Sequence, residues 1–499
     1  FSLECFKSLS YFLISHYFET RKKITIFLNK VINQNAYDKK YSLIPIIPNL
    51  LENLKPEMPD DLLAPSLKLC ESLCSIQAPL SFMIKYDAAN AIVPLCLVSN
   101  DKISSQALHL INKILSNSKP SENFIQNYLS KFANFQFDSA SSQAIEPLIV
   151  LTHLVKTPEF IHLFIDSNEA ISTYSSYLES KDETVLSFAL RLTFSLISLH
   201  KKPANFSIIG KQLISCLSNS NKLISMMASA CLTSIVSSIT DNFELFFTDS
   251  LLNYFKTSLD LNNVSHDHLV NEGEARVCIC ALKLAGAFSM TFEGATFLHE
   301  NSIVELIIKF LKYHDYRFLA LTVLTSQSLQ IPYSVALTKS LSIVIDKLRK
   351  CYKIKNQAND NDNEEEEEEE EEDNDYYESD SESDDNTNPQ KIIESLKFKL
   401  LAMNFIGNVI VCPKAASIAA RSIIDILHFA KDEDPRVKHQ IAKIIQIIIA
   451  AHETRDLVDY RDVISLTIKT FLPLLDDENI AADAYKIFEI LTTLDFGHQ

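Results

Sequence analysis

Glycine and tryptophan are what this sequence most lacks: its 499 residues hold six glycines and no tryptophan. Ordinary proteins carry about 7% glycine, and so few positions free to take positive φ exclude a large β-protein built on tight hairpins. The composition predicts helices instead. Gly210, Gly273, Gly286, Gly294, Gly407 and Gly497 never come closer than eight residues apart. The motifs G-x-G-x-x-G, G-x-x-x-x-G-K and G-x-S-x-G are therefore absent, and with them the standard dinucleotide, P-loop and hydrolase-elbow sites. There is no C-x-x-C pair either. The ten cysteines fall mostly inside apolar runs and read as reduced core residues, Cys70 and Cys74 one helical turn apart and Cys278 and Cys280 two residues apart.

Long apolar runs are missing too. The best candidate, Ile441 to Ala451, is interrupted by Lys443 and Gln446, well short of the ~18 residues that span a bilayer. The opening stretch carries Glu4, Lys7 and His16 at helical spacing, which suits an amphipathic helix better than a signal peptide. The expectation is an intracellular protein, cytoplasmic or nuclear, with no membrane contact. Because it starts at Phe1 rather than Met, the chain is expected to be a segment of something longer.

Net charge is −18, with eighteen acidic and no basic residues between Asp360 and Asp385. The rest of the chain balances 46 Asp and Glu against 46 Lys and Arg. A neutral body argues against a cationic face for nucleic acid, and the tract is a local attractor for basic protein partners.

Self-similarity comes next. With Asp182, Asn221, Asp315, Asp434 and Asp477 in register, position +3 holds Val185, Ile224, Phe318, Val437 and Ile480. Position +7 holds Ala189, Ala228, Thr322, Ile441 and Ala484, and +14 holds Leu196, Ile235, Leu329, Ile448 and Leu491. This is one apolar helix stripe, preceded each time by a residue able to cap the helix N-terminus. Looser copies begin near Asp60, Asp101 and Asp138, and most intervals are one or two units of about forty residues. Residues 356–389 read as an insertion in phase, dividing one solenoid into a 1–355 part and a 390–499 part.

From roughly Asp60 to Leu494 this pattern resembles the armadillo and HEAT families; KDEDPRVKHQIAKIIQIIIA is similar to a HEAT inner helix through Asp434, Val437 and Lys438. The resemblance implies an all-α fold, a right-handed α-solenoid of about nine to eleven repeats. It also implies partners lying along a concave surface lined by inner helices. The Trp-x-x-x-Asn array of importin-α-like grooves has no tryptophan to build it. Outward-facing candidates for partner binding are Arg191 and Thr193 on one inner helix, and Asn404 and Asn408, one turn apart, on another.

The insertion is too polar to bury surface and too charged to collapse, which predicts a disordered loop. It reads as a spacer, as a docking site for basic proteins through residues such as Glu364, Glu368 and Glu372, or as a gate over the concave face. Ser379 and Ser381, each with an acid three residues on, are phosphorylation candidates. Lys347, Arg349, Lys350, Lys353 and Lys355 just before the tract either complement a helix C-terminus or serve as a nuclear signal or internal clamp.

A search for chemistry returns little. His266-Asp267-His268 lacks further ligands nearby, His299-Glu300 and His452-Glu453 lack the second zincin histidine and read as surface residues, and His109, His153, His162 and His439 stand singly on helices. No catalytic residue, cofactor or metal is expected. The sequence reads as a non-catalytic scaffold binding protein partners. Its rivals are an importin-β-like transport receptor and the regulatory arm of a kinase or ubiquitin ligase whose catalytic domain lies upstream.

Overall fold

The computed structural model describes residues 1–34, 43–97, 100–134, 145–199, 203–239, 243–260, 272–359, 389–451, 460–478 and 480–493. Among them every regular element is a helix. The chain divides into two compact units, residues 1–251 and 252–499.

In the first unit one row of helices runs through Phe18–Asn33, Asp60–Cys74, Asp101–Leu115, Ile145–Leu154, Glu183–Leu199 and Lys222–Val236, each packed on the next. Shorter helices such as Glu122–Phe132, Asn168–Leu178 and Gly210–Leu217 cover its other side. The second unit repeats the scheme with Glu272–Phe288, His314–Gln330, Pro389–Val409, Pro435–Ala450 and Ala481–Thr493 as the row. This successive stacking is what an α-solenoid requires, since one amphipathic pair cannot bury its own apolar face.

Burial reveals the register. Thr25, Ser66, Ala107, Leu148 and Ala189 stand 41 residues apart in succession, and all five are fully buried, as are Ala228, Ala281, Ala320, Ala402, Ile441 and Ala484 further on. Nine of these eleven are Ala, Ser or Thr; small side chains at the middle of each helix let neighbouring backbones approach. Larger residues on either side fill the layers, each full burial contributing about 1.5–3 kcal/mol.

This register corrects the sequence alignment at Asp315. Asp182, Asn221 and Asp434 do cap: Asp182 accepts from the Thr184 amide at 2.8 Å, Asn221 from Leu223 at 3.1 Å and Asp434 from Arg436 at 2.8 Å. Asp315 does not. It lies inside the first turn of a helix whose cap position is Tyr313, and Phe318, Thr322 and Leu329, expected in the core, are exposed. The buried residues are Tyr316, Ala320 and Gln327, two positions earlier. The looser copies hold: helices begin at Asp60 and at Asp101, the second capped by Asn100, with Ile103, Ala107 and Leu110 buried. The copy placed at Asp138 lies outside the described residues; Leu148 occupies its register position. At Asp315 the buried stripe, not the nearest acid, sets where the helix sits.

The helix leading into the acidic tract continues to Asn359, and the next begins at Pro389. Residues 356–359 are thus helical, not part of a loop that begins at 356.

Candidate partner-binding surfaces

Most row helices keep exposed residues along one side, Ile145–Leu154 being the exception with none, so each unit presents a face built largely from consecutive helices. In the first unit that face is cross-linked by side chains about one repeat apart. Lys22 reaches Asp61 at 2.7 Å, Asn100 reaches Asp60 at 3.0 Å, and Asn221 reaches Glu183 at 2.7 Å. The Asn29 amide donates to the Pro65 carbonyl at 3.0 Å. Two of these asparagines are helix caps whose carbonyl oxygen holds its own helix while the amide holds the previous one, which fixes the spacing of the row.

At the middle of this face His109 sits between two carboxylates, 3.7 Å from Glu71 and 3.8 Å from Glu146. Asn112 holds Glu146 at 2.7 Å, and the Lys113 ammonium donates to the Glu71 carbonyl at 3.2 Å and Ser75 at 3.0 Å. Leu67, Lys68, Ser105 and Gln106 complete a shallow cleft of about 200 Å³. The cleft offers acceptors to a passing amide or cation.

Arg191 is exposed on the Glu183–Leu199 helix. Thr193 is not a surface residue: it is fully buried, donating to the Ala189 carbonyl at 3.0 Å and meeting the Tyr174 hydroxyl at 2.8 Å. Position 193 is two residues, about 200°, from Arg191, which carries it into the core. In the second unit Asn404 is exposed on the Pro389–Val409 helix. Asn408, one turn on, is half-buried and donates to Ser328 of the preceding row helix at 3.1 Å. Glu364, Glu368, Glu372, Ser379 and Ser381 lie outside the described residues, as do His266, Asp267, His268, His452 and Glu453. His299, expected at the surface, is half-buried with an unpartnered Nδ1.

The sequence reading missed a buried clasp at the foot of the acidic tract. Lys399 and Asp432 are 8% and 6% exposed and meet at 2.6 Å. The Tyr352 hydroxyl donates to the same carboxylate oxygen at 2.8 Å, the Asp434 amide to the other at 2.9 Å, and the ammonium lies 4.5 Å from the Tyr352 ring centroid. Tyr352 stacks on Phe429 at 4.5 Å, and Arg349 pairs with Asp425. Burial pushes the Asp432 carboxyl up, but the Lys399, Asp434 and Tyr352 donors together hold it below its ordinary value. Burial pushes the Tyr352 hydroxyl well up, reinforced by Asp432. A lone lysine beside Phe398 on an otherwise apolar stripe was the signal.

The cysteines behave as core residues. Burial pushes the Cys96 and Cys231 thiols up to about 12 and Cys216 to about 11, too high for a thiolate at neutral pH. Among the described residues no three His, Cys, Asp or Glu side chains are placed to share a metal ion, and no helix is long and apolar enough to cross a membrane.

No family model matches the chain, and no curated protein matches it. Solved structures do. An engineered protein from a structural-genomics consortium superimposes with a TM-score of 0.53 at 13% identity, over 97% of this chain and 98% of the other. A chain from work on a conserved phosphorylation switch controlling the interaction between cadherin and β-catenin gives 0.52 at 10% identity, over 97% and 100%. At such identities the likeness concerns the fold alone, a stack of helices.

Proposed function

We propose that this chain is a non-catalytic scaffold of armadillo or HEAT type, a right-handed solenoid of about nine to eleven repeats that binds partner proteins along the exposed face of its helix row. The observation that carries this reading is the cross-linked face itself. Asn100, Asn221, Lys22 and Asn408 each tie one row helix to a neighbour, and in the first unit the exposed His109 and Arg191 stand two 41-residue steps apart. That arrangement suits an extended partner making many shallow contacts. The similarity to a chain from work on the cadherin and β-catenin interaction supports it. The acidic tract adds long-range attraction for basic partners.

The test uses the full chain with mixed histones as a basic probe, in a salt series. Binding should weaken steeply between 50 and 300 mM salt, on the order of a Debye-length effect, and deletion of residues 360–388 should weaken it further. Making the face more positive with Gln106→Arg and Asn404→Arg, both exposed positions, should reduce what remains. Binding indifferent to salt and to all three changes would remove the proposal.

A further inference from the structure

The two units differ at matching positions of their rows. Nine residues after the buried mid-helix residue, the first unit has Gln34, Ser75, Ser116, Thr157, Ser198 and Ser237, all polar. In the second unit the first three such positions hold Met290, Leu329 and Val411, each more than half exposed. They lie side by side. The Gln330 amide donates to the Met290 carbonyl at 2.9 Å and Asn408 donates to Ser328 at 3.1 Å, so the ends of Glu272–Phe288, His314–Gln330 and Pro389–Val409 run level across the stack.

One turn before this apolar line the same helices carry Gly286, Thr325 and Gly407. Thr325 folds its hydroxyl back onto the Leu321 carbonyl at 2.7 Å. Glycine inside a helix costs stability, and nothing within the chain requires it here: a Cβ at Gly407 would meet no atom within 4 Å, and one at Gly286 would touch Val323 at an ordinary 3.7 Å. Two of the six glycines in the chain thus share one register position, where they deepen a trough and admit a foreign backbone. The row of the first unit has none.

Charge borders the trough. Three residues before the glycine line stand Lys283, Thr322, Asn404 and, on Pro435–Ala450, Lys443. Both lysines are exposed and, among the described residues, lack an ion-pair partner. The three lines fall about 200°, 140° and 180° around each helix from its buried residue, so they share its outward side, and no acid stands at any of these positions on the four helices.

Spacing selects the form of the occupant. Packed helices lie about 8–10 Å apart, and a polyproline II chain advances about 9.3 Å in three residues while returning to the same side. A helix, about 10–12 Å across, would ride on the apolar tips and leave the glycines without a purpose. We propose that this trough takes an extended partner segment, apolar at every third position to meet Met290, Leu329 and Val411, with an acid at each end for Lys283 and Lys443. The inference rests on the scaffold reading and names the kind of partner that the row face of the second unit takes.

The probe is a labelled twelve-residue peptide with Leu at positions 3, 6 and 9 and Glu at 2 and 12, titrated into the full chain by fluorescence anisotropy. One twin has Lys at 2 and 12; another keeps the composition but groups its Leu at 3, 4 and 5. The first peptide should bind at least tenfold more tightly than either twin. Gly407→Leu displaces nothing inside the chain, so it should leave the melting midpoint no lower and weaken binding at least tenfold. Lys283→Glu with Lys443→Glu, both at exposed positions, should reverse the preference between the Glu and Lys peptides. Failure of the first peptide to bind, equal binding of all three, or indifference to both variants overturns the proposal. If histones still bind in their salt-dependent way while the peptide does not, this inference falls alone; if neither binds, the scaffold reading falls with it.

Discussion

The two units stack helices by the same rule and fasten them by different means. In the first, the fasteners are hydrogen bonds near the surface, such as Asn100 to Asp60 and Asn221 to Glu183, with the partners largely in water. In the second, the row is held at Pro389–Val409 by a largely buried ion pair. A surface link is cheap to make and cheap to lose. A buried pair is costly to assemble and far costlier to break from one side, because the remaining charge has nowhere to be solvated.

The largest expected effect therefore comes from Lys399→Met, which strands Asp432 and should cost about 3–5 kcal/mol. Hydrogen exchange read by mass spectrometry should show it as lost protection in Pro389–Val409 and Pro435–Ala450, with Lys222–Val236 unchanged. The double change Lys399→Met with Asp432→Leu should recover most of the loss. A single variant as stable as the double would mean that the clasp carries no weight.

Acid should divide the units next. Asp432 has a folded value below its unfolded one, so the unfolded chain binds more protons as pH falls; the clasp's contribution is complete above about pH 4 and disappears below it. The half-buried His153 in the first unit is held low by burial and then by Lys156. By the same sign its unit should begin losing stability as pH drops below about 6.5, the ordinary histidine value. Exchange at a series of pH values should therefore show the first unit loosening before the second.

Gln327→Leu should act in the other direction. Gln327 is fully buried and neither amide atom has a partner, at the register position where Leu196, Ile235 and Ile448 fill the core. Replacing it should raise the stability of the His314–Gln330 region by about 1–3 kcal/mol, read as a higher denaturation midpoint. The smallest effects belong to the surface links: about 1 kcal/mol for Asn221→Ala, which removes a cap and a link together, and less still for Lys22→Ala, whose pair with Asp61 is screened by solvent. If Asn221→Ala equals Lys399→Met in effect, the contrast between the units fails.

Helices and their stacking were legible in the sequence because each row helix writes its buried stripe in apolar residues. Caps were less so. Asp182, Asn221 and Asp434 sit where the stripe demands, whereas Asp315 is a plausible acid two residues out of phase, and Gln327 hides the true register by standing where an aliphatic residue is expected. The candidate faces were half legible. Spacing places Arg191 and Asn404 outside, but only three-dimensional packing carries Thr193 to Tyr174 and Asn408 to Ser328. The clasp joins residues 352, 399 and 432, separations that no local pattern encodes.

Those same separations bear on length variation. Tyr352 and Lys399 lie on the two helices that bracket the acidic tract, and both end on Asp432. The closure of that stretch is therefore fixed by the packed helices, not by its own residues. Doubling such a segment adds only about 0.6 kcal/mol of closure entropy. Expansion or contraction of its glutamate run is thus nearly neutral for folding, and the run's length is left for selection to set by charge alone.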